Sequence, residues 1–359
     1  MTATMTWVGL DVHARSTHAA AIDRESGELT RARFGAGVED VTAWLQRLPQ
    51  PIHGCYEAGP TGYALFRATE AAGLRVDVVA PSKTPRAAAD RVKTDRKDAE
   101  LLVRLLLAGS LSVVAVPPAR FEAARDLARA REQVRADLAR LRQRVSKLLL
   151  RYGRVYDGGT WTQAHRRWLG AQRFEHVPTE LAYLDALAAI EGLLARRAAL
   201  DERLSLLATE PDHWPVVAKL RCFRGIETLS ALVLHLEVGD FGRFQRPGQL
   251  AAWLGLVPSL HQSGESETRG SITKTGSGFA RRILVEAAWH YLREPRIGVT
   301  LHNRQAGQPE QVLQIAWRAQ HRLYRLHQRL RGRGKPGNIA VVAAARELAC
   351  FLWAAAVTD

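Results

Sequence analysis

The first third of the chain switches repeatedly between two hydrophobic periods. Apolar positions cluster or alternate over Thr6 to Leu10, Thr17 to Asp23 and near Leu29 to Phe34, which predicts three strands joined by short turns. Val38, Val41, Leu45 and Leu48 then fall at helical spacing, and a helix is expected from Val38 to Leu48. A strand (Ile52 to Glu57), a helix (Gly62 to Ala72), a strand (Arg75 to Ala80) and a helix from about Asp95 to Ala108 complete the segment. The order is βββαβαβα, an α/β arrangement in which the first and fourth strands are expected side by side and parallel at the centre of the sheet.

Beyond Pro117 and Pro118 the pattern becomes helical. Leu127, Val134, Leu138, Leu141, Val145 and Leu148 recur in steps of three and four, the seam of a coiled coil. A second helix from Glu180 to Ala208 has leucines suited to packing back against it, so 119–210 reads as a helical hairpin. Its crowded arginines fit either a solvated spacer or dimer arm, or direct contact with nucleic acid. From about Pro211 a compact helical region leads into a Gly/Ser/Thr-rich stretch, Ser259 to Gly278, read as a loop, and then into apolar and basic helices. Three domains are expected: 1–118, 119–210 and 211–359. The last apolar run, Ile339 to Val357, is broken by Arg346 and Glu347 and reads as a buried helix. No basic-then-apolar leader opens the chain, so neither export nor a membrane span is expected.

Charge separates the predicted domains. The net charge is +15, yet residues 1–118 hold 14 Lys and Arg against 13 Asp and Glu, leaving 37 against 23 for 119–359. A neutral first domain followed by basic ones suits a polyanionic partner gripped mainly by the later part of the chain. The strongest basic patch is the late helix carrying Arg318, Arg322, Arg325, Arg329, Arg331, Arg333 and Lys335 among Trp317, Leu323, Tyr324 and Leu330, where nucleic-acid contact is favoured over a solvated face. Cys55, Cys222 and Cys350 are odd in number and lack metal-ligand spacing, which fits a reducing cytoplasm.

Four acids of the first domain invite a chemical explanation. Asp11 follows the apolar run Trp7 to Leu10 and Glu57 ends the run Ile52 to Tyr56, so each sits at the carboxyl end of a predicted central strand. Asp95 and Asp98 are three apart at a helix start and share a face. Taken singly they read as a turn residue, a surface acid, and an N-cap with a first-turn acid. Taken together they form a cage that repels itself unless cations are present, and oxygen-preferring Mg²⁺ or Mn²⁺ fit. Two such ions about 3.5–4 Å apart would clamp a scissile phosphate.

The sequences around these acids are Val8-Gly9-Leu10-Asp11-Val12-His13, Tyr56-Glu57-Ala58-Gly59-Pro60-Thr61-Gly62-Tyr63 and Lys93-Thr94-Asp95-Arg96-Lys97-Asp98-Ala99. They closely resemble the three motifs of the DEDD transposases, the insertion-sequence family related to the Piv DNA invertase that includes the bridge-RNA-guided recombinases. The similarity continues through Phe244 to Pro258, Gln262-Ser263-Gly264 and Gly270 to Gly276. It implies an RNase H-like (RuvC-like) nuclease domain, the fold to which the strand order also points, with Asp11, Glu57, Asp95 and Asp98 as metal ligands. It further implies that Ser263 is a nucleophile, although composition alone makes its surroundings a flexible loop. Lys93, Arg96, Lys97, Arg269, Lys274, Arg281, Arg282, Arg322, Arg325 and Arg329 are candidate nucleic-acid contacts, against ordinary surface charge. One departure stands out: Arg224-Gly225-Ile226-Glu227 replaces the family's Pro-Gly-Ile-Gly turn, which argues against backbone phosphate binding there.

The expected function is a transposase or recombinase that cuts and rejoins donor and target DNA with Mg²⁺ (or Mn²⁺) and a serine nucleophile, guided by a structured bridge RNA. It would act as a homodimer or homotetramer in the bacterial cytoplasm, associated with the nucleoid when bound to DNA. Two rivals stand beside it: a metal-dependent junction resolvase or nuclease that forms no covalent intermediate, and a non-catalytic nucleic-acid-binding protein.

Overall fold

A computed structural model describes residues 5–85, 95–263 and 266–358. The chain divides into two compact units, Met1–Pro117 and Pro118–Asp359.

The first unit is a mixed five-stranded sheet with helices on both faces. Its strands are β1 (Thr6–Val12), β2 (Thr17–Asp23), β3 (Leu29–Phe34), β4 (Ile52–Glu57) and β5 (Arg75–Val79). Their order across the sheet is β3-β2-β1-β4-β5. β1 pairs antiparallel with β2 and parallel with β4, in the register Leu10↔Tyr56. The expected central parallel pair is therefore present, and β1 runs two residues further than its apolar run, carrying Asp11 inside the strand.

Strand alternation sorts the residues between two covers. Val8, Leu10 and Tyr56 pack with Val41 and Leu45 of α1 (Val38–Arg47) and Leu65 of α2 (Ala64–Ala71). On the other face, Cys55 and Val79 meet Leu102 and Leu106 of α3 (Asp95–Leu107), and Ala20 meets Ala99 and Val103 of the same helix. Small residues on this face let α3 come close. A Cβ at Gly9 would lie 2.2 Å from the Ala99 carbonyl oxygen and 2.6 Å from the Val103 nitrogen.

The second unit is mainly helical. Long helices α4 (Ala119–Arg151) and α6 (Val177–Leu207) pack along each other, with α5 (Gln163–Gly170) between them in sequence. Val134, Leu138, Val145 and Leu149 of α4 are buried on this line, as are Tyr183 and Ile190 of α6. Much of the basic face of α4 is occupied within the unit. Arg129 holds the Glu237 carboxylate at 3.0 and 3.3 Å, Arg135 pairs with Glu132, Arg140 with Asp137, and Arg125 donates to the Leu236 and Glu237 carbonyls.

Helices α7 (Trp214–Leu220), α8 (Thr228–Val238), α9 (Pro247–Trp253), α10 (Gly278–Ala288), α11 (Val299–Gln305), α12 (Glu310–Gly332) and α13 (Gly337–Ala356) complete the unit, and all but α11 share one core with the start of α4. By length and composition α13 is the one helix among the described residues that could cross a membrane. Ala340, Val341, Ala344, Ala345, Leu348, Ala349 and Leu352 bury one side of it in that core.

The stretch read from composition as a loop is a hairpin, β6 (Pro258–Ser263) and β7 (Ser266–Ile272). Its strands are polar in composition and lack an apolar-polar alternation, so no period revealed it.

Candidate active site

The acids of the first unit meet where β1, β4 and α3 converge. Gly9 lets α3 settle on β1, which brings the first turn of that helix, with Asp95 and Asp98, over the carboxyl end of the strand. Acids there are favoured by the unpaired amides and dipole of a helix start. Asp11 shares with Gly9 the strand face that α3 covers, and it sits directly opposite His18 in the β1–β2 pairing. Glu57 follows Tyr56, the partner of Leu10, so it is next to Asp11 in the parallel pair, on the same face as Cys55.

Two imidazoles join them. His13 Nε2 lies 3.1 Å from Asp11 Oδ2 and 3.6 Å from Asp95 Oδ1, and His18 Nε2 lies 3.7 Å from Asp95 Oδ2. One donor atom from each of Asp11, His13 and Asp95 falls within 4.8 Å of the others, a group able to hold a metal ion. Burial pushes the Asp11 carboxyl above its ordinary value. The charge and hydrogen bond of His13 oppose that shift, while the like charges of Asp98 and Asp95 add to it. A cation would relieve this repulsion, and the donor set of carboxylates with one imidazole fits a divalent ion.

Of the four acids read from the sequence, Asp11 and Asp95 are in this tight group. Asp98 is close enough for its charge to act on Asp11, and Glu57 is placed at the same sheet end by strand register. His13 and His18 were assigned no role from sequence. His13 was recoverable as the next residue on the Asp11 face of a strand extended by two, whereas His18 needed the register of the hairpin.

In the second unit, Ser263 ends β6, and its backbone pairs with that of Ser266. The root of this hairpin is tightly built. Gly255 and Gly276 have φ of 67° and 66°, and a Cβ at Gly276 would lie 2.1 Å from the Trp253 carbonyl oxygen. Lys274, between them, also has positive φ (56°), and its side chain is exposed. The Arg281 guanidinium donates to the Leu254 and Thr275 carbonyls, tying α10 to this root.

Several of the remaining basic candidates hold partners within the protein. Arg282 pairs with Glu132 at 2.6 Å and Glu286 at 2.7 Å, and Arg322 clasps Glu347 at 2.7 and 2.8 Å. Arg96 reaches Glu100 at 3.4 Å. Lys97 is exposed in the first turn of α3. Arg325 and Arg329 are exposed on α12. Lys93 lies outside the described residues, as do the side chains of Ser263 and Arg269.

At the turn where the second glycine is missing, Gly225 has φ of 79° and packs against the Ala287 carbonyl. Glu227 has φ of −102° and ψ of 174°, ordinary extended geometry that requires no glycine.

Comparison with known proteins agrees with this arrangement. A DEDD transposase model of the IS110 type, described as "Transposase", matches residues 8–153, and the model "Transposase IS116/IS110/IS902 family" matches 217–299. "Putative transposase y4qE" of Sinorhizobium fredii is 41% identical over 98% of this chain and 88% of its own length. "Transposase for insertion sequence element IS1533" of Leptospira borgpetersenii is 32% identical over 92% of this chain and 97% of its own. The chain thus belongs to the IS116/IS110/IS902 family of DEDD transposases, insertion-sequence enzymes that use divalent metal to cut and rejoin DNA.

Proposed function

We propose that the first unit is an RNase H-like (RuvC-like) catalytic domain in which Asp11, Glu57, Asp95 and Asp98 hold Mg²⁺, or Mn²⁺ in its place. The observation that carries this reading is the convergence of Asp11, His13 and Asp95 donors within 4.8 Å at the carboxyl end of a central parallel strand pair. Such an ion would neutralise charge on the scissile phosphate and lower the cost of forming an alkoxide. The acids would position it, with the packing of α3 on β1 holding Asp95 and Asp98 beside Asp11.

Ser263 is the nucleophile in this reading. Its hydroxyl oxygen bonds to phosphorus, a deoxyribose oxygen leaves as a hydroxyl with the net transfer of the serine proton, and reversal on a second strand rejoins DNA. The covalent phosphoserine link conserves the energy of the broken bond, which suits recombination of donor with target. A structured bridge RNA guides site choice, and a homodimer or homotetramer holds the two DNA segments together in the cytoplasm. The hairpin 119–210 is a separate coiled-coil domain within this scheme, ahead of a serine-containing domain over 211–359. Lys93, Arg96, Lys97, Arg269, Lys274, Arg325 and Arg329 are the proposed phosphate contacts. Arg96, Arg281, Arg282 and Arg322 would first have to release partners inside the protein.

Strand-transfer assays with full-length protein, donor and target DNA and copurified RNA test the scheme. Asp11→Asn is expected to slow cleavage by about a hundredfold or more, as for groups acting on the transition state. Ser263→Ala is expected to abolish covalent capture of DNA. Cleavage that survives Ser263→Ala without a protein–DNA adduct would instead indicate a nuclease with no covalent intermediate. Sequencing the copurified RNA checks for a non-coding segment able to pair with donor and target.

A further inference from the structure

We infer that His13 is itself a ligand of the metal centre, so that the site is a mixed nitrogen–oxygen site with a preference for Mn²⁺ over Mg²⁺; this rests on the acidic metal site proposed above. The geometry comes first. Around an octahedral ion with bonds of about 2.1 Å, neighbouring donor atoms lie roughly 3 Å apart and opposite ones roughly 4.2 Å apart. His13 Nε2 is 3.1 Å from Asp11 Oδ2 and 3.6 Å from Asp95 Oδ1, within that span for both carboxylates at once. A surface imidazole that merely paired with one acid would have no reason to lie between two acids from separate elements.

Backbone placement supports the same assignment. His13 directly follows β1, two residues beyond Asp11, with its ring against the Asp11 carboxylate, and Asp95 opens α3 within reach of the same ring. His18 faces the opposite edge of Asp95 at 3.7 Å and is not among the three converging donors. It serves as an internal control, being a histidine of the same cluster outside the proposed ligand set.

The choice of donor has a chemical consequence. Mg²⁺ favours oxygen and gains little from an imidazole, whereas first-row transition ions bind nitrogen progressively better. Replacing one oxygen by nitrogen therefore shifts selectivity toward Mn²⁺ while leaving room for a phosphate oxygen.

Pulsed electron paramagnetic resonance of Mn²⁺ bound to the full-length protein, without DNA, reads the ligand directly. The expected result is nitrogen-14 modulation from a coordinated imidazole in the unaltered protein and in His18→Gln, lost in His13→Gln. Titration should show the Mn²⁺ to Mg²⁺ affinity ratio falling by about tenfold in His13→Gln, a size typical of altered metal-site residues. Bound Mn²⁺ without nitrogen modulation, or modulation that persists in His13→Gln, overturns the assignment of His13 while leaving the acidic site standing. Mn²⁺ binding that is absent, or indifferent to Asp11→Asn, overturns both.

Discussion

At the residue scale, the chemistry depends on a position that contributes no side chain. Gly9 sits under α3 with the Ala99 carbonyl where its Cβ would be, so Gly9→Ala forces the helix outward. Overpacking of this kind costs about 1–3 kcal/mol. A lower urea midpoint for the first unit's transition and weaker Mn²⁺ binding are the expected outcomes, because Asp95 and Asp98 move with the helix. A second residue-scale effect concerns acid. Burial, helped by the nearby charges of His213 and Arg125, lowers His235 to about 4, and Phe121 packs edge-on to both imidazoles. A histidine kept neutral in the folded state stabilises nothing above its unfolded value near 6.5, but opposes folding below it. Stability should therefore fall as pH drops from about 6.5 to about 4, by up to roughly 3 kcal/mol from this group. Urea unfolding across that window checks it, and His235→Leu should flatten the slope.

At the scale of elements, hydrophobic period served wherever an element had a core to face. The five strands and α3 of the first unit, the long α4 and the buried α13 all follow from it, because each presents one stripe or face to apolar neighbours. Asp11 and Glu57 were legible for the same reason, each following the apolar run of a central strand, and Asp95 and Asp98 because they open an amphipathic helix. The β6–β7 ribbon escaped because the sequence from Pro258 to Ser263 carries no apolar-polar period, and His18 escaped because its place opposite Asp11 is a matter of pairing. The basic helices show a different limit. Counting arginines cannot reveal that Arg129 is held by Glu237 or Arg322 by Glu347, since their partners lie 108 and 25 residues away. On α12 the prediction narrows to Arg325 and Arg329. Replacing both by Gln should reduce the slope of log binding constant against log salt by about two on duplex DNA, with affinity weakened uniformly across sequences. Filter binding between 50 and 200 mM salt, roughly the range over which such slopes are read, checks this.

At the scale of the whole molecule, the acidic cluster and most of the net positive charge fall in different units. The unit with the acids is close to neutral, while the cations gather in the unit with the β6–β7 hairpin. The root of this hairpin is pinned by the close approach of Gly276 to the Trp253 carbonyl and by Arg281, whereas its strands have no core of their own to steer them. The backbone course of β6 toward Ser263 thus begins from a fixed root at the opposite end of the ribbon. If Ser263 is the nucleophile proposed above, Gly276→Ala, thirteen residues away, is expected to lower covalent DNA capture in the strand-transfer assay as Ser263→Ala does.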